Sequence, residues 1–109
     1  MSIIEFIKSE VEGNDVVLFM KGTSLMPLCG FSGVVVQILK LLSVEFKDIN
    51  VLDNQELRSA LKEFSNWPTI PQLYIKGEFI GGCDIVKGMY TNKELHKLLE
   101  NKGVKFSNT

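Results

Sequence analysis

The stretch "VVLFMKGTSLMPLCGFSGVVVQILKLL", residues 16 to 42, decides how this chain folds. Val16 to Met20 is an apolar run rich in branched side chains, bounded by Asn14-Asp15 and by Gly22. With no polar residue to mark a wet face, it reads as a strand covered on both sides, hence a central one. In "KGTSLMPL" the residues Gly22, Ser24 and Pro27 break any periodicity and mark a loop. From Ser32 onward Val35, Leu39 and Leu42 share a face with Val34, Ile38 and Leu41 beside them, the pattern of a largely buried helix. Cys29 therefore stands at, or just outside, a helix N-terminus.

On the N-terminal side, Ser2 with Glu5 three residues on is a capping box, followed by Ile3, Phe6, Ile7 and Val11 at helical spacing until Gly13. On the C-terminal side, Val44 and Phe46 alternate with charged residues and predict an edge strand. Asp53 with Glu56 predicts a second capping box before Leu57, Ala60, Leu61 and Phe64. Pro68 and Pro71 in "WPTIP" end that helix, because a residue before proline avoids helical angles. Gln72 to Ile75 and Glu78 to Ile80 flank Lys76-Gly77, a two-residue hairpin signal. Asp84 is then read as the cap of a short helix through Tyr90, and Thr91 with Glu94 as the box opening a last helix that ends at Gly103. Residues from about 104 onward are expected to fray.

The order helix, strand, helix, strand, helix, strand, strand, helix, helix predicts an α/β fold: a mixed four-stranded sheet flanked by helices, with an extra helix in front. A chain of 109 residues is one domain, and 45% hydrophobic against 23% charged residues is a globular balance. The formal charge of −1, with one arginine, argues against a basic surface that tracks nucleic acid. No apolar run approaches the ~20 residues that span a bilayer. "MSIIEFIKSEVEG" fits neither a secretory signal nor an acid-poor transit peptide, so a cytoplasmic protein is expected. Two cysteines, Cys29 and Cys83, are too few for a disulfide framework.

A thiolate is favoured where free backbone N–H groups and a helix dipole point at it, and Cys29 has that address. Ser32 occupies the place of the second cysteine in a Cys-x-x-Cys pair. Its hydroxyl can hydrogen-bond a thiolate but cannot resolve a mixed disulfide. The plain alternative is a small buried apolar residue near a turn.

"CGFS" at 29 to 32, Lys21 eight residues earlier, "WPTIPQLY" at 67 to 74 and "GGCD" at 81 to 84 together resemble the monothiol (CGFS-type) glutaredoxins, over a span from about Ser2 to Lys102. The resemblance implies a thioredoxin-like fold and a glutathione site. It also implies a [2Fe-2S] cluster bridging a homodimer, with Cys29 of each chain and the thiol of each bound glutathione as ligands. Such clusters take four soft ligands, and two chains offer four sulfurs through Cys29 and Cys83 even without glutathione. Counting alone leaves both sets open.

The tripeptide carries two carboxylates, an amine and a thiol. Lys21 and Arg58 would hold the glycyl carboxylate. The backbone of Ile70, beside a Pro71 that the resemblance implies to be cis, would pair like an added strand. Amides at Gly82, Cys83 and Asp84 suit the γ-glutamyl carboxylate, and the Asp84 side chain its ammonium. Taken singly, each has a plainer reading: solvated charges for Lys21 and Arg58, a helix cap for Asp84, a strand exit for Gly81-Gly82.

Phe31, at an exposed turn, is read as shielding the cluster or the glutathione thiol. Trp67 is read as a core or rim aromatic, and Cys83 as a thiol beside the ligands, a Cys29–Cys83 disulfide being the alternative. His96 is read as a solvated surface histidine, with Leu95 and Leu98 at the buried positions. The sequence departs from the resembled pattern at Ile70, where the family often has phenylalanine, and at the apolar "SLM" before Pro27.

Three functional readings follow. The first is a carrier that delivers its cluster to iron-sulfur acceptor proteins. The second is a glutathione-dependent oxidoreductase that uses Cys29 alone to remove glutathione from mixed disulfides. The third is a regulatory module sharing one cluster with a BolA-like partner.

Overall fold

The computed structural model describes residues 1–107. Its elements run α1 (Ile3–Gly13), β1 (Val16–Met20), α2 (Gly30–Leu41), β2 (Lys47–Asn50), α3 (Gln55–Ser65), β3 (Gln72–Ile75), β4 (Glu78–Gly81), α4 (Cys83–Thr91) and α5 (Glu94–Asn101). This is the order that the sequence pattern predicts. The four strands form one mixed sheet, β2-β1-β3-β4, with β1 parallel to β2 and antiparallel to β3.

Strand β1 is buried at all five positions. Its alternate side chains feed two cores. Val16, Leu18 and Met20 pack with Val35 and Leu39 of α2, Val86 of α4, and Leu95 and Leu99 of α5. Val17 and Phe19 pack on the other face with Ile7 and Val11 of α1, Leu57 and Leu61 of α3, and Tyr74 of β3. A period of two on a strand covered by helices on both faces explains why Val16–Met20 shows no polar alternation.

The Ser2 capping box is closed in both directions, Glu5 N–H to Ser2 Oγ at 3.1 Å and Ser2 N–H to Glu5 Oε1 at 2.9 Å. The β3–β4 hairpin turns at Lys76 and Gly77 with φ of 52° and 80°, both positive as a type I′ turn requires.

Several expected boundaries are corrected. The edge strand starts at Lys47, not around Val44 and Phe46. Ser43 takes a left-handed φ of 54° and Val44 N–H closes the end of α2 on Leu39 O at 3.0 Å, so Val44 is engaged in a helix C-cap. The cap of α3 is Asn54, whose Oδ1 accepts Leu57 N–H at 2.9 Å; Asp53 lies one residue too early to reach that amide. Asp84 sits in the first turn of α4, and the cap position belongs to Gly82. Thr91 is the last residue of α4, its Oγ1 donating to Lys87 O at 2.9 Å; the cap position of α5 belongs to Lys93, and the Oδ1 of Asn92 before it accepts Glu94 N–H at 3.0 Å.

The expected fraying from about 104 is corrected for the described part of the tail. Val104 is buried, and Ser107 N–H donates to Leu42 O at 2.7 Å. Residues 108 and 109 lie outside the described residues. His96 is corrected as well: it is buried, as are Leu95 and Leu99, while Leu98 is only partly covered. Among the described residues no helix is long and apolar enough to cross a membrane.

The two candidate caps separate cleanly by mutation. Asn54→Ala is expected to lose about 1 kcal/mol in urea denaturation and Asp53→Ala only a few tenths, since only Asn54 satisfies an orphan helix N–H. Equal losses would contradict the assignment.

Candidate functional site

Strand β1 ends at Met20 and α2 begins at Gly30, and the buried Ser32 locks the junction by accepting the Lys21 N–H on its Oγ at 3.1 Å. Between them, the loop folds back on itself. Leu28 N–H donates to Lys21 O at 2.9 Å, and Thr23 and Met26 exchange two backbone bonds of 3.1 Å. Side chains from β2 hold it from below, Asn50 Oδ1 taking Gly22 N–H at 3.0 Å and Asp48 Oδ2 taking Ser24 N–H at 2.8 Å. Gly22 has φ of 90°, and a Cβ there would come within 2.5 Å of Met26 O, so the fold-back requires glycine.

This loop delivers Cys29 as the N-cap residue of α2, in extended conformation and partly exposed. The neutral thiol closes no capping hydrogen bond. As a thiolate it is held below the ordinary thiol value chiefly by the backbone N–H of Ser32; partial burial opposes this, and the Phe31 N–H, the Lys21 ammonium and the Ser32 hydroxyl add to it. The reading of Cys29 as a walled-in apolar residue is thereby set aside.

Cys29 opens onto a cleft of about 490 Å³ whose lining includes Lys21, Phe31, Arg58, Ile70, Pro71, Gly82, Cys83 and Asp84. All the predicted site residues thus converge on one cavity, within the ~300–1,000 Å³ usual for small-molecule clefts. The Ile70–Pro71 bond is cis, as expected. Behind it stands a support that the sequence reading missed: the buried Gln72 donates through Nε2 to Trp67 O at 3.2 Å and Thr69 O at 3.3 Å and accepts from the Tyr74 hydroxyl at 3.0 Å. Trp67 lines the cleft as a rim aromatic, tilted on Phe79 with ring centroids 5.8 Å apart. Gly82 lets α4 approach this wall, since a Cβ there would stand 3.2 Å from both Pro71 O and Trp67 Nε1.

The second thiol behaves oppositely. Burial first, then the Asp84 carboxylate, pushes Cys83 up; Cys29 adds in the same direction and Lys87 opposes. Two sulfurs share the cleft, and only Cys29 is primed as a thiolate.

Lys62 and Thr69 also line the cleft and were not singled out from the sequence. Lys62 lies four residues after Arg58 on α3, one turn along the same face, and that spacing was the available signal. Lys21, Arg58 and Lys62 against Asp84 leave the cleft with excess positive charge. Arg58 donates through Nη2 to Gln55, while its Nε is buried without a partner. A buried N–H left unpaired costs roughly 1–3 kcal/mol. Phe31 (63%) and Ile85 of the cleft lining are exposed, as are Leu25 (91%), Met26 and Leu28 of the loop that leads to Cys29.

A glutaredoxin family model matches residues 16–80, more than half of the chain. "Probable monothiol glutaredoxin 2" of Rickettsia typhi is 61% identical over 99 residues, covering 91% of this chain and 89% of that protein. Among solved structures, reduced poplar apo GrxS14 superposes with a TM-score of 0.83 at 50% identity over 93% of each chain. A monomeric truncated mutant of Trypanosoma brucei 1-C-Grx1 superposes with a TM-score of 0.88 at 38% identity, over 100% of this chain and 99% of that one. The fold and site define a thioredoxin-like protein with one primed cysteine. The chain belongs to the glutaredoxin family, in its monothiol branch.

The opposed shifts give a pH prediction. With iodoacetamide, Cys29 in the Cys83→Ser variant is expected to reach half-maximal alkylation below the ordinary thiol pKa of about 8.5, and Cys83 in the Cys29→Ser variant above it. Ser32→Ala is expected to move the Cys29 profile upward. Coincident profiles for the two thiols would contradict the assignment.

Proposed function

We propose that this protein binds glutathione in the Cys29 cleft and, with a second copy, carries a [2Fe-2S] cluster that it delivers to iron-sulfur acceptor proteins. The observation that carries this reading is the primed Cys29 on a positively charged cleft lined by Lys21, Arg58 and Lys62. Glutathione matches that cleft group for group. Arg58, Lys62 and Lys21 would take its glycyl carboxylate. The extended backbone beside cis-Pro71 would pair with its cysteinyl unit. The N-terminus of α4 would take the γ-glutamyl carboxylate, and Asp84 the ammonium.

The donor set explains why the cluster is shared. Among the described residues no group of three or more His, Cys, Asp or Glu side chains is placed to hold a metal, whereas a [2Fe-2S] cluster needs four soft ligands. Cys29 and one glutathione thiol from each of two chains make four. Cys83, with its raised pKa, is the poorer ligand of the two cysteines. The exposed apolar residues of the Cys29 loop and of the cleft lining would face the second chain, or a BolA-like protein in a mixed dimer. Two free thiols suit the reducing conditions of a cytoplasmic setting.

The low Cys29 pKa supports a second activity at the same sulfur. The Cys29 thiolate attacks the glutathione sulfur of a mixed disulfide and releases the other partner's thiol. A second glutathione thiolate then attacks the Cys29-bound glutathione, freeing Cys29 and leaving glutathione disulfide.

Anaerobic reconstitution with iron, sulfide and glutathione is expected to give a coloured dimer for the wild type and Cys83→Ser, and none for Cys29→Ser. Arg58→Ala is expected to weaken glutathione binding about tenfold in calorimetry, the equivalent of ~1.4 kcal/mol. A colourless wild type that turns over a glutathionylated peptide briskly would replace the carrier reading with the oxidoreductase one.

A further inference from the structure

His96 does no work in the Cys29 cleft, yet it is one of only three buried polar or charged residues in the described chain, at 6% exposure. Neither ring nitrogen has a hydrogen-bond partner, and both are shielded from solvent. The imidazole is stacked on Tyr90 of α4, centroids 5.6 Å apart and planes 22° apart. On its other side, the edge contact is with Phe106, at 6.2 Å. Phe106 belongs to the C-terminal segment Val104–Ser107, which is anchored at its two ends by Val104 N–H to Leu99 O at 2.9 Å and Ser107 N–H to Leu42 O at 2.7 Å. The tail is thus a strap from α5 back to the end of α2, with a histidine beneath it.

We propose that this strap is an acid-released latch: protonation of His96 between Tyr90 and Phe106 frees Val104–Ser107 from the end of α2 while the sheet stays folded.

The neutral ring can tolerate this setting because aromatic contacts replace water, although its N–H already lacks an acceptor. An imidazolium cannot, since it carries a full charge and two donors into the same enclosure. The surrounding charges do not compensate. Lys93 just before α5, Glu94, Lys97 and Glu100 of α5, Lys87 of α4, Lys40 of α2, Glu45 after it and Lys105 of the strap are all exposed, and Lys102 is engaged with Glu78 at 3.2 Å. Burial, and secondarily the Lys93 ammonium, hold the His96 pKa below its ordinary value.

The sign follows directly. With the folded pKa depressed, the closed strap binds fewer protons than the open one. Closure is complete above about pH 6.5 and weakens as the pH falls through that value toward the folded pKa, by up to tenfold per pH unit. Ordinary carboxylates stay ionised down to about pH 5, and this is the chain's only histidine, so the window belongs to one side chain. Opening the strap removes a cover from α4 and α5.

The test is hydrogen exchange of the full chain from pH 7 to pH 5, corrected for intrinsic rates, read at the Val104 and Ser107 amides against Leu18 of β1. The opening constant at Val104 and Ser107 should rise severalfold on acidification while Leu18 stays protected. In His96→Phe, which keeps the stack without a titrating group, opening should not vary with pH. Equal acid release in His96→Phe, or loss of Leu18 protection together with the strap, would overturn the proposal. A direct NMR titration covers the case of a poorly folded His96→Phe. The single imidazole should titrate below about 6.5 in the wild type and move up to that value in Phe106→Ala, whereas an ordinary midpoint in the wild type would overturn the latch.

Discussion

Strand β1 has no solvent face, and that constraint organises the molecule. Five consecutive buried side chains, Val16–Met20, need cover on both sides of the sheet. Helices α1 and α3 supply one layer, and α2, α4 and α5 the other. Because β1 is central and ends at the edge of both layers, the chain that leaves it must cross the top of the sheet to start α2. The bond from Lys21 N–H to the buried Ser32 hydroxyl fixes that crossing, and Cys29 is carried to the rim by it.

Three separate elements meet that cysteine. The cis-Pro71 turn approaches from β3, backed by Gln72; the N-terminus of α4 approaches from β4; and Arg58 and Lys62 of α3 close the side. None of these groups makes a site by itself. Brought together they produce a cleft with a thiolate address and an excess of positive charge. The same arrangement keeps the two cysteines chemically distinct. Cys29 faces the amides of α2, whereas burial is the leading influence on Cys83, which also has a carboxylate for a neighbour.

The far end of the helical layer follows a different logic. There the strap, Tyr90 and His96 form an enclosure built from aromatic surface, and a titratable ring sits in it without partners. A polar group so placed is stable in only one protonation state. That restriction ties the tail to solution conditions without any contribution from the cleft chemistry.

The element order, the central position of β1, the hairpin at Lys76-Gly77 and the motif residues around Cys29 were legible in the sequence, because each rests on local chemistry: apolar runs, turn residues, proline restrictions and a helix start. Boundaries set by competition were less legible. Asn54 rather than Asp53 caps α3, and Val44 completes a helix end instead of a strand, because the outcome depends on which backbone N–H each group reaches. Lys62 and Gln72 were missed for a related reason: both types are ordinary at the surface, and only packing turns one into the cleft and the other beneath the cis-Pro71 turn. The sequence alone determined that one cysteine would stand at a helix N-terminus beside a strand buried on both faces. Tertiary structure alone decided that Arg58 would line the cleft with its Nε buried and unpaired, and that His96 would be buried under the tail, because burial is conferred by residues distant along the chain.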